Sequence, residues 1–315
     1  MYSIRIGRGE RGWRVADGAR AAAAAHRHTG PVNALMTRLS ATGRCLVSGV
    51  VNVTPDSFSD GGLWWEPLDA IAHGLEMLTL GADILDIGGE STRPGAVRPP
   101  VEEELRRVRP VVRELAAAGA VVSIDTMRAE VAEVALDLGA GIVNDISGGL
   151  ADPFMLPLIV ERACPYIAMH WRGHSVDMQD HTHYDDVVAD VVRELSDQVR
   201  AILDAGVDPS ALVLDPGLGF AKTSDQNWTL LDRLDAFVGL GYPVLLGASR
   251  KAFLGKLLAD PVTGATRPAR RRDDATAAVS AIAAMAGVWC VRAHDVGPSL
   301  DAARVAARLI AERRT

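Results

Sequence analysis

The sequence predicts an α/β protein folded as a single (β/α)8 TIM barrel. Short apolar runs alternate with amphipathic helical segments eight times between Cys45 and the end of the chain, at roughly 25 to 40 residues per unit. The composition, with 48% hydrophobic and only 5% aromatic residues, is typical of an aliphatic, alanine-rich α/β core. Eight units favour a closed barrel. The alternative is an open doubly wound sheet, but no strand leads into a G-x-G-x-x-G turn.

The apolar runs are four to six residues long, the length of buried parallel strands. They predict strands at residues 46–51, 84–87, 121–125, 142–146, 166–170, 212–215, 244–248 and 289–292. The segments between them carry apolar residues at helical spacing, and Gly81 provides a stop signal for the first. They predict helices at residues 68–80, 102–118, 129–138, 153–162, 185–205, 227–237, 273–286 and 299–312.

The first 44 residues lack a strong apolar period and carry eight arginines against Glu10 and Asp17. We therefore divide the chain into a flexible N-terminal extension, residues 1–44, and a barrel domain, residues 45–315. A basic stretch can bind nucleic acid, but short ones are usually only solvated. The triplet at residues 270–272 is read in the same way, as a solvated loop.

The formal net charge of −7 and a pI of about 5.6 argue against general affinity for nucleic acid and favour an enzyme or binding protein for small molecules. No apolar run has the length of a membrane span, and we expect no membrane association. Cys45, Cys164 and Cys290 lie in or beside apolar runs without paired spacing. They predict reduced core cysteines in a cytoplasmic protein.

Polar residues stand where the predicted strands end, and in a barrel these ends converge on one pocket. They are Asn52, Asp86, Asp125, Asn144, Met169 with His170, Asp215, Ser249 to Lys251, and Arg292 with His294. Asp125, Asn144 and Asp215 suit a flat heterocycle with an amidine-like edge, because a carboxylate accepts two parallel N–H bonds. Arg93, Arg292 and His294, with Asn52, suit a phosphate or a metal-bound phosphate. A pterin diphosphate satisfies both halves.

Two further patterns leave alternatives open. The turn at residues 247–255 puts Ser249 at the start of a helix after strand seven, where backbone N–H groups favour an anion, either a phosphate or a carboxylate. His170, His174, His181 and His183 fall close together, which could indicate zinc. Because no cysteine or tighter motif accompanies them, a loop is the preferred interpretation.

Seven motifs resemble the dihydropteroate synthase family, in its actinobacterial form, and they span all eight units. They are NVTPDSFSDGG at 52–62, GGESTRPG at 88–95, SIDT at 123–126, VNDISGG at 143–149, LDPGLGFAK at 214–222, GASRK at 247–251 and VRAHD at 291–295. The resemblance implies a TIM barrel that condenses 6-hydroxymethyl-7,8-dihydropterin diphosphate with p-aminobenzoate. Pyrophosphate and 7,8-dihydropteroate are the implied products, within folate synthesis.

The resemblance also implies a role for each site residue. Asp125, Asn144, Asp215 and Lys251 hold the pterin, with Met169 lining that pocket and Arg292 packing on the ring. Asn52 coordinates Mg²⁺ carried by the diphosphate, while Arg93, Arg292 and His294 bind the diphosphate itself. Thr92, Pro94, Phe220 and Ser249 line the p-aminobenzoate and sulfonamide site, so the anion near Ser249 becomes the benzoate carboxylate. The implied catalytic set is Asp86, Arg93, Asp125, Lys251, Arg292 and His294.

Sulfonamide sensitivity and a homodimer formed through the last helices are further expectations of this resemblance. Two competing hypotheses remain. Methyltetrahydrofolate methyltransferases share the pterin-binding barrel, but they bind no diphosphate and so have no use for Arg93 or the Arg292 and His294 pair. A catalytically silent binding paralogue is expected to have lost loop residues, whereas Asp56 and Lys251 are in place.

Overall fold

The computed structural model describes residues 33–54, 66–93 and 95–313. Its sheet contains eight parallel strands in the order β6-β5-β4-β3-β2-β1-β8-β7. They are β1 Leu46–Asn52, β2 Ile84–Gly88, β3 Val122–Asp125, β4 Ile142–Asp145, β5 Tyr166–Met169, β6 Leu212–Asp215, β7 Leu245–Leu246 and β8 Cys290–Ala293. A parallel bridge between Leu214 and Val244 joins the two outer strands of this order. The predicted (β/α)8 barrel is therefore confirmed.

One helix precedes β1, and the others follow the strands and cover the barrel. The helices are α1 Ala34–Ser40, α2 Pro67–Leu80, α3 Val101–Ala117, α4 Ala129–Asp137, α5 Met155–Arg162, α6 Val187–Asp204, α7 Ser224–Asp232, α8 Leu234–Val238, α9 Ala252–Leu257, α10 Asp273–Met285 and α11 Val296–Glu312. Gly81 ends α2, as predicted, and it does so in the left-handed conformation. The helix predicted at 227–237 is two helices, because Arg233 leaves the helical conformation between them. It begins earlier than predicted, at a capping box between Thr223 and Gln226.

Side chains alternate along each strand between the barrel interior and the helices outside, as the two-residue period of a strand requires. In β4, Ile142 packs inside the barrel, Val143 packs in the outer core, and the Asn144 side chain faces inward again. Asp145 faces outward, where its carboxylate accepts hydrogen bonds from the Tyr166 hydroxyl and the backbone of the following turn. Asn144 therefore faces the barrel interior, and Asp145 stabilises the turn that follows β4.

The amino-terminal end of the barrel is closed by an apolar layer. Its inward-facing strand residues are Leu46, Ile84, Ile142, Ile167, Val213, Leu245 and Cys290. Helix α1 lies across this layer and contributes Met36 and Leu39, both buried. Asn33 caps the helix through its side-chain oxygen. For residues 33–44 the structure thus differs from the predicted flexible extension, because three-residue spacing puts two apolar side chains on one short helix. Residues 1–32 lie outside the described residues.

Candidate active site

A cavity of about 810 Å³ opens at the carboxyl ends of the strands. That end of a barrel carries the functional site, because the loops that follow the strands meet there. The predicted site residues that line it are Asn52, Thr92, Arg93, Asp125, Asn144, Met169, Asp215, Phe220, Ser249, Lys251, Arg292 and His294. Asp86 lies outside this lining, and Pro94 lies outside the described residues, as do residues 55–65 of the first predicted loop.

Arg292, on β8, bridges two carboxylates on neighbouring strands at the base of the cavity. Its Nε donates to Asp86 Oδ2 at 2.6 Å, and its Nη2 donates to Asp125 Oδ2 at 2.8 Å. Burial works to lower the pKa of Arg292, but the two carboxylates raise it above its usual value. The guanidinium is therefore permanently charged and is held in one orientation by a fork of charge-assisted hydrogen bonds.

Asp86 supports the site from beneath. It is buried, and its Oδ2 also accepts a hydrogen bond from Asn144 Nδ2 at 3.0 Å. One oxygen therefore orients both Arg292 and Asn144, which line the cavity. The sequence predicted Asp86 as a catalytic group; it lies outside the cavity lining, and its carboxylate contacts two residues that line the cavity.

Burial raises the pKa of Asp125 to about 7; Arg292 opposes this shift, and the nearby charge of Asp86 adds to it. In the free protein the Asp125 carboxyl is therefore protonated more easily than an ordinary carboxyl group. A ligand that donates hydrogen bonds to this carboxylate favours the charged form and lowers the pKa again.

Asp215 and Lys251 form a second charged group in the cavity lining. Burial raises the pKa of Asp215 and lowers that of Lys251 to about 8, and each charge opposes the shift of the other. Gly247 lies between them, and a β-carbon there would be 3.8 Å from Lys251 Nζ and 3.9 Å from Asp215 Oδ2. The missing side chain leaves a slot flanked by a carboxylate and an ammonium, which suits the edge of a flat polar ring.

The Lys251 side chain also connects this slot to an aromatic wall. Its Nζ lies 4.7 Å from the centre of the Phe220 ring and donates to the Leu218 carbonyl oxygen. A cation over an aromatic face is an attractive arrangement. Phe220 and Lys251 thus mark the place where a second, aromatic and anionic ligand can lie beside the slot.

Ser249 and His294 form one unit. The Ser249 Oγ accepts from the His294 backbone N–H at 3.0 Å and lies 2.9 Å from His294 Nδ1. A hydroxyl that accepts from the backbone can also donate its proton to Nδ1, and in that tautomer the histidine proton is on Nε2. Burial lowers the pKa of His294, and Arg250 and Arg292 lower it further, so the ring is neutral. It can donate from Nε2 to an anion.

Arg250 shapes the turn that carries Ser249 and Lys251. It adopts a left-handed backbone conformation, with φ 57°, which is uncommon for a residue with a side chain. Its guanidinium is held by both oxygens of Asp273, at 2.7 and 2.9 Å. The ion pair fixes a backbone that turns its two neighbours into the cavity.

The loop at residues 88–93 is held in place by two arginines that follow it in the sequence. Arg107 Nη1 donates to the Gly89 carbonyl oxygen at 2.9 Å, and Arg98 Nε pairs with Glu90 at 2.8 Å. A β-carbon at Gly89 would lie 2.8 Å from Val108 Cγ1, so only glycine lets the loop pass this close to α3. These contacts bring Thr92 and Arg93 to the rim of the cavity.

The histidine-rich stretch gives no metal site. Within the part of the chain that the structure describes, no three His, Cys, Asp or Glu side chains are grouped to hold a metal ion. His170 points away from the cavity and lies between Lys222 and Glu194. Reasoning from the sequence missed Lys222 and Glu90, which both line the cavity. Each lies inside one of the seven motifs, and this position could have indicated that it belongs to the site.

The three cysteines are free and buried, as predicted. Among the described helices, none combines the length and apolar character that crossing a bilayer requires.

The strand ends gather two carboxylates on one arginine and a slot between a carboxylate and a lysine, an arrangement that suits a flat polar ring and an anion. Residues 48–294 match the sequence profile of a family described as pterin binding enzyme, and the chain belongs to it. More narrowly, it belongs with the dihydropteroate synthases, transferases of the folate pathway. It is 55% identical over 260 residues to the dihydropteroate synthase of Mycobacterium leprae, a match that covers 82% of this chain and 91% of the relative.

Solved structures agree with this placement. The fold is similar to that of Yersinia pestis dihydropteroate synthase in a sulfonamide drug complex, with a TM-score of 0.80 and 38% identity over 87% of this chain and 96% of that one. It is also similar to Xanthomonas albilineans dihydropteroate synthase with 4-aminobenzoic acid, with a TM-score of 0.77 and 43% identity over 85% of this chain and 94% of that one.

Proposed function

We propose that the chain joins the methylene carbon of 6-hydroxymethyl-7,8-dihydropterin diphosphate to the amino nitrogen of p-aminobenzoate. The C–O bond to the diphosphate breaks and its electron pair leaves with pyrophosphate. The nitrogen lone pair forms the new C–N bond, and the aniline proton is then lost to give 7,8-dihydropteroate. The observation that carries the proposal is that one cavity holds both the Arg292 fork on Asp86 and Asp125 and the slot between Asp215 and Lys251.

The pterin ring lies in this slot. Asp125 and Asp215 accept hydrogen bonds from its N–H edges, Asn144 offers both a donor and an acceptor, and Lys251 donates to a ring acceptor. As the C–O bond breaks, positive charge spreads into the ring, and the buried carboxylates stabilise it because they are already oriented. Met169, which is buried at the end of β5, supplies an apolar contact for the ring.

The diphosphate lies on the cationic side of the cavity. Arg292 is fixed in place and permanently charged, and His294 donates from Nε2. Arg93, on the rim, completes the set from the loop at residues 88–93. Cations placed where charge develops on the leaving group lower the barrier to its departure.

The p-aminobenzoate lies beside the slot, against the Phe220 ring, with its carboxylate near the turn of Ser249. Thr92 also lines the cavity and is proposed for this place, and Pro94 is proposed here from the sequence alone. A sulfonamide has the same aniline ring and an anionic group at the other end, so we propose that sulfonamides compete for this place. Turnover that is unchanged by saturating sulfamethoxazole would contradict it.

Mg²⁺ is proposed to reach the site with the diphosphate. Asn52 fits this binding, because it lines the cavity and offers an amide oxygen, a ligand type that Mg²⁺ accepts. The oxygens of the diphosphate would supply further ligands to the ion. When bound, the ion neutralises charge that develops on the leaving group. Asn52 orients the diphosphate in this way, and Arg292 and His294 hold it.

A homodimer in the cytoplasm is proposed for the assembly. Helices α10 and α11 pack against each other and expose Ile282, Val305 and Leu309, each about half exposed or more. Exposed apolar side chains on adjoining helices suit an interface between two copies. In analytical ultracentrifugation we expect the wild type to sediment at twice the monomer mass and Val305→Glu to sediment at the monomer mass.

The activity is tested by incubating the purified chain with the pterin diphosphate, p-aminobenzoate and Mg²⁺ and measuring both products. We expect equal amounts of pyrophosphate and dihydropteroate, and their loss in Arg292→Ala and Lys251→Ala. Pterin binding without either product would instead identify a silent paralogue. Methyl transfer from methyltetrahydrofolate to a corrinoid would identify the methyltransferase alternative.

A further inference from the structure

Lys222 is a buried lysine at the cavity wall that the proposed reaction does not use. Its side chain makes three hydrogen bonds, all of 3.0 Å, to His170 Nδ1 and to the carbonyl oxygens of Gly217 and Phe220. An ammonium group has three N–H donors, and here each has an acceptor. A neutral amine has only two donors, so one of the three acceptors would lose its partner.

The two carbonyl groups belong to the turn between Asp215 and Phe220, which carries one group of each substrate pocket. Gly217 and Gly219 have φ values of 69° and 78°, and Ala221, with a side chain, has φ 48°. A β-carbon at Gly217 would lie 2.6 Å from the His170 carbonyl oxygen. The turn is therefore tight and partly strained, and a clamp across its carbonyl groups is needed to keep its shape.

His170 anchors the lysine to the outer helices. Burial lowers the pKa of His170 to about 4, so the ring is neutral. Its Nδ1 accepts from Lys222, and its Nε2 proton is donated to Glu194 on α6, at 2.9 Å. Arg172 holds Glu194 with two hydrogen bonds of 2.8 and 2.6 Å and stacks on Tyr184, 3.7 Å from its centre. His170, the first residue of the histidine-rich segment, thus connects Lys222 to Glu194 in a chain of hydrogen bonds.

We propose that Lys222 is a positioning residue: it fixes the turn between Asp215 and Phe220 and so holds both substrate pockets in their binding shape. The inference deepens the proposed function and rests on it. Lys222 touches neither reacting atom in this role and acts through the turn.

The charge of Lys222 makes the clamp sensitive to pH. Burial lowers the pKa of Lys222 to about 7; Asp215 and Glu194 raise it, and Lys251 and Arg172 lower it further. His170, the remaining group that faces it, is neutral. Since the ammonium is present below this pKa, the turn is held on the acid side and loosens as the pH rises through about 7.

The experiment compares wild type, Lys222→Met, Phe220→Ala and the double variant by steady-state kinetics. Methionine keeps the length of the side chain but cannot donate to the carbonyl groups. We expect Lys222→Met to raise KM for p-aminobenzoate about tenfold, with a smaller fall in kcat. In the Phe220→Ala background the same change should have less than about a third of that effect on KM, because the ring that the turn positions is gone.

The pH dependence provides a readout that a purely structural role would not change. In the wild type, KM for p-aminobenzoate should rise as the pH increases through about 7, and in Lys222→Met this rise should be absent. Asp125 and Lys251 titrate in both proteins. Because Lys222 and Lys251 repel each other, the loss of the Lys222 charge raises the pKa of Lys251, so the Lys251 titration moves to higher pH in Lys222→Met and does not replace the lost rise near pH 7. Arg200→Met, an exposed change of charge on the same helix as Glu194, is the control and should match the wild type.

The outcomes separate the two proposals. Fully additive effects of the two substitutions, or an unchanged pH profile of KM in Lys222→Met, would overturn the role of Lys222. A wild type that forms no dihydropteroate would overturn the proposed function instead. If Lys222→Met does not fold, Lys222→Arg retains a cation but not its length, and the same rise in KM with a folded protein supports the clamp.

Discussion

Replacing Asp86 tests whether a buried carboxylate outside the cavity lining controls the site through Arg292 and Asn144. In Asp86→Asn the amide oxygen can take the place of Oδ2 and keep both hydrogen bonds, so only the charge is lost. Hydrogen bonds to charged groups contribute about 1.5–3 kcal/mol and neutral ones about 0.5–1.5 kcal/mol. The difference of about 1–2 kcal/mol corresponds to a fall in kcat/KM of about 5- to 30-fold.

Asp86→Ala removes both hydrogen bonds and leaves Arg292 with Asp125 alone. Breaking a buried ion pair by removing one partner costs about 3–5 kcal/mol. Because Arg292 is still paired with Asp125, we expect the lower end, a fall in kcat/KM of at least about 100-fold. Urea unfolding should show a loss of stability in the same order, with alanine below asparagine and asparagine below the wild type.

The assay is pyrophosphate release at several concentrations of the pterin diphosphate, over a range of pH. The charge of Asp86 raises the pKa of Asp125, so Asp86→Asn should also shift the acid limb of kcat/KM to lower pH. Asp235→Asn and Asp235→Ala are the controls, because Asp235 pairs with Arg233 at an exposed site, where an ion pair contributes little. An Asp86→Ala enzyme within about threefold of the wild type would refute the reasoning.

Three other sites give one prediction each. Lys251 is charged below its lowered pKa of about 8, so kcat/KM should fall as the pH rises through that value. Lys251→Arg should remove the fall near pH 8 and leave the one near pH 7 that Lys222 causes. Leu39→Ala empties a buried position under the barrel and should lower the free energy of unfolding in urea by about 2–4 kcal/mol, with kcat within about twofold. Asp273→Ala frees Arg250 and should raise both KM values about tenfold as the turn around Lys251 relaxes, whereas the exposed Asp274→Ala should leave them unchanged.

Much of the fold follows from local patterns. A strand of four to six apolar residues and a helix with one apolar face are each recognisable from their own sequence, and so the eight-unit barrel was predictable. The placement of α1 was not, because a seven-residue helix with two buried side chains has too short a pattern to distinguish it from a flexible arm.

For the site, too, part of the arrangement follows from local sequence and part from the closed barrel. The sequence by itself determined that polar side chains stand at the strand ends, since strand ends and the functional end of a barrel coincide. Only the tertiary structure decided which side chains meet. Arg292 and Asp86 are 206 positions apart and become partners because β1 lies between β2 and β8. Asp145 and His170 differ from their neighbours Asn144 and Met169 by one position, which turns them away from the cavity. Their roles depend on what packs against them, and that is fixed only when the barrel closes.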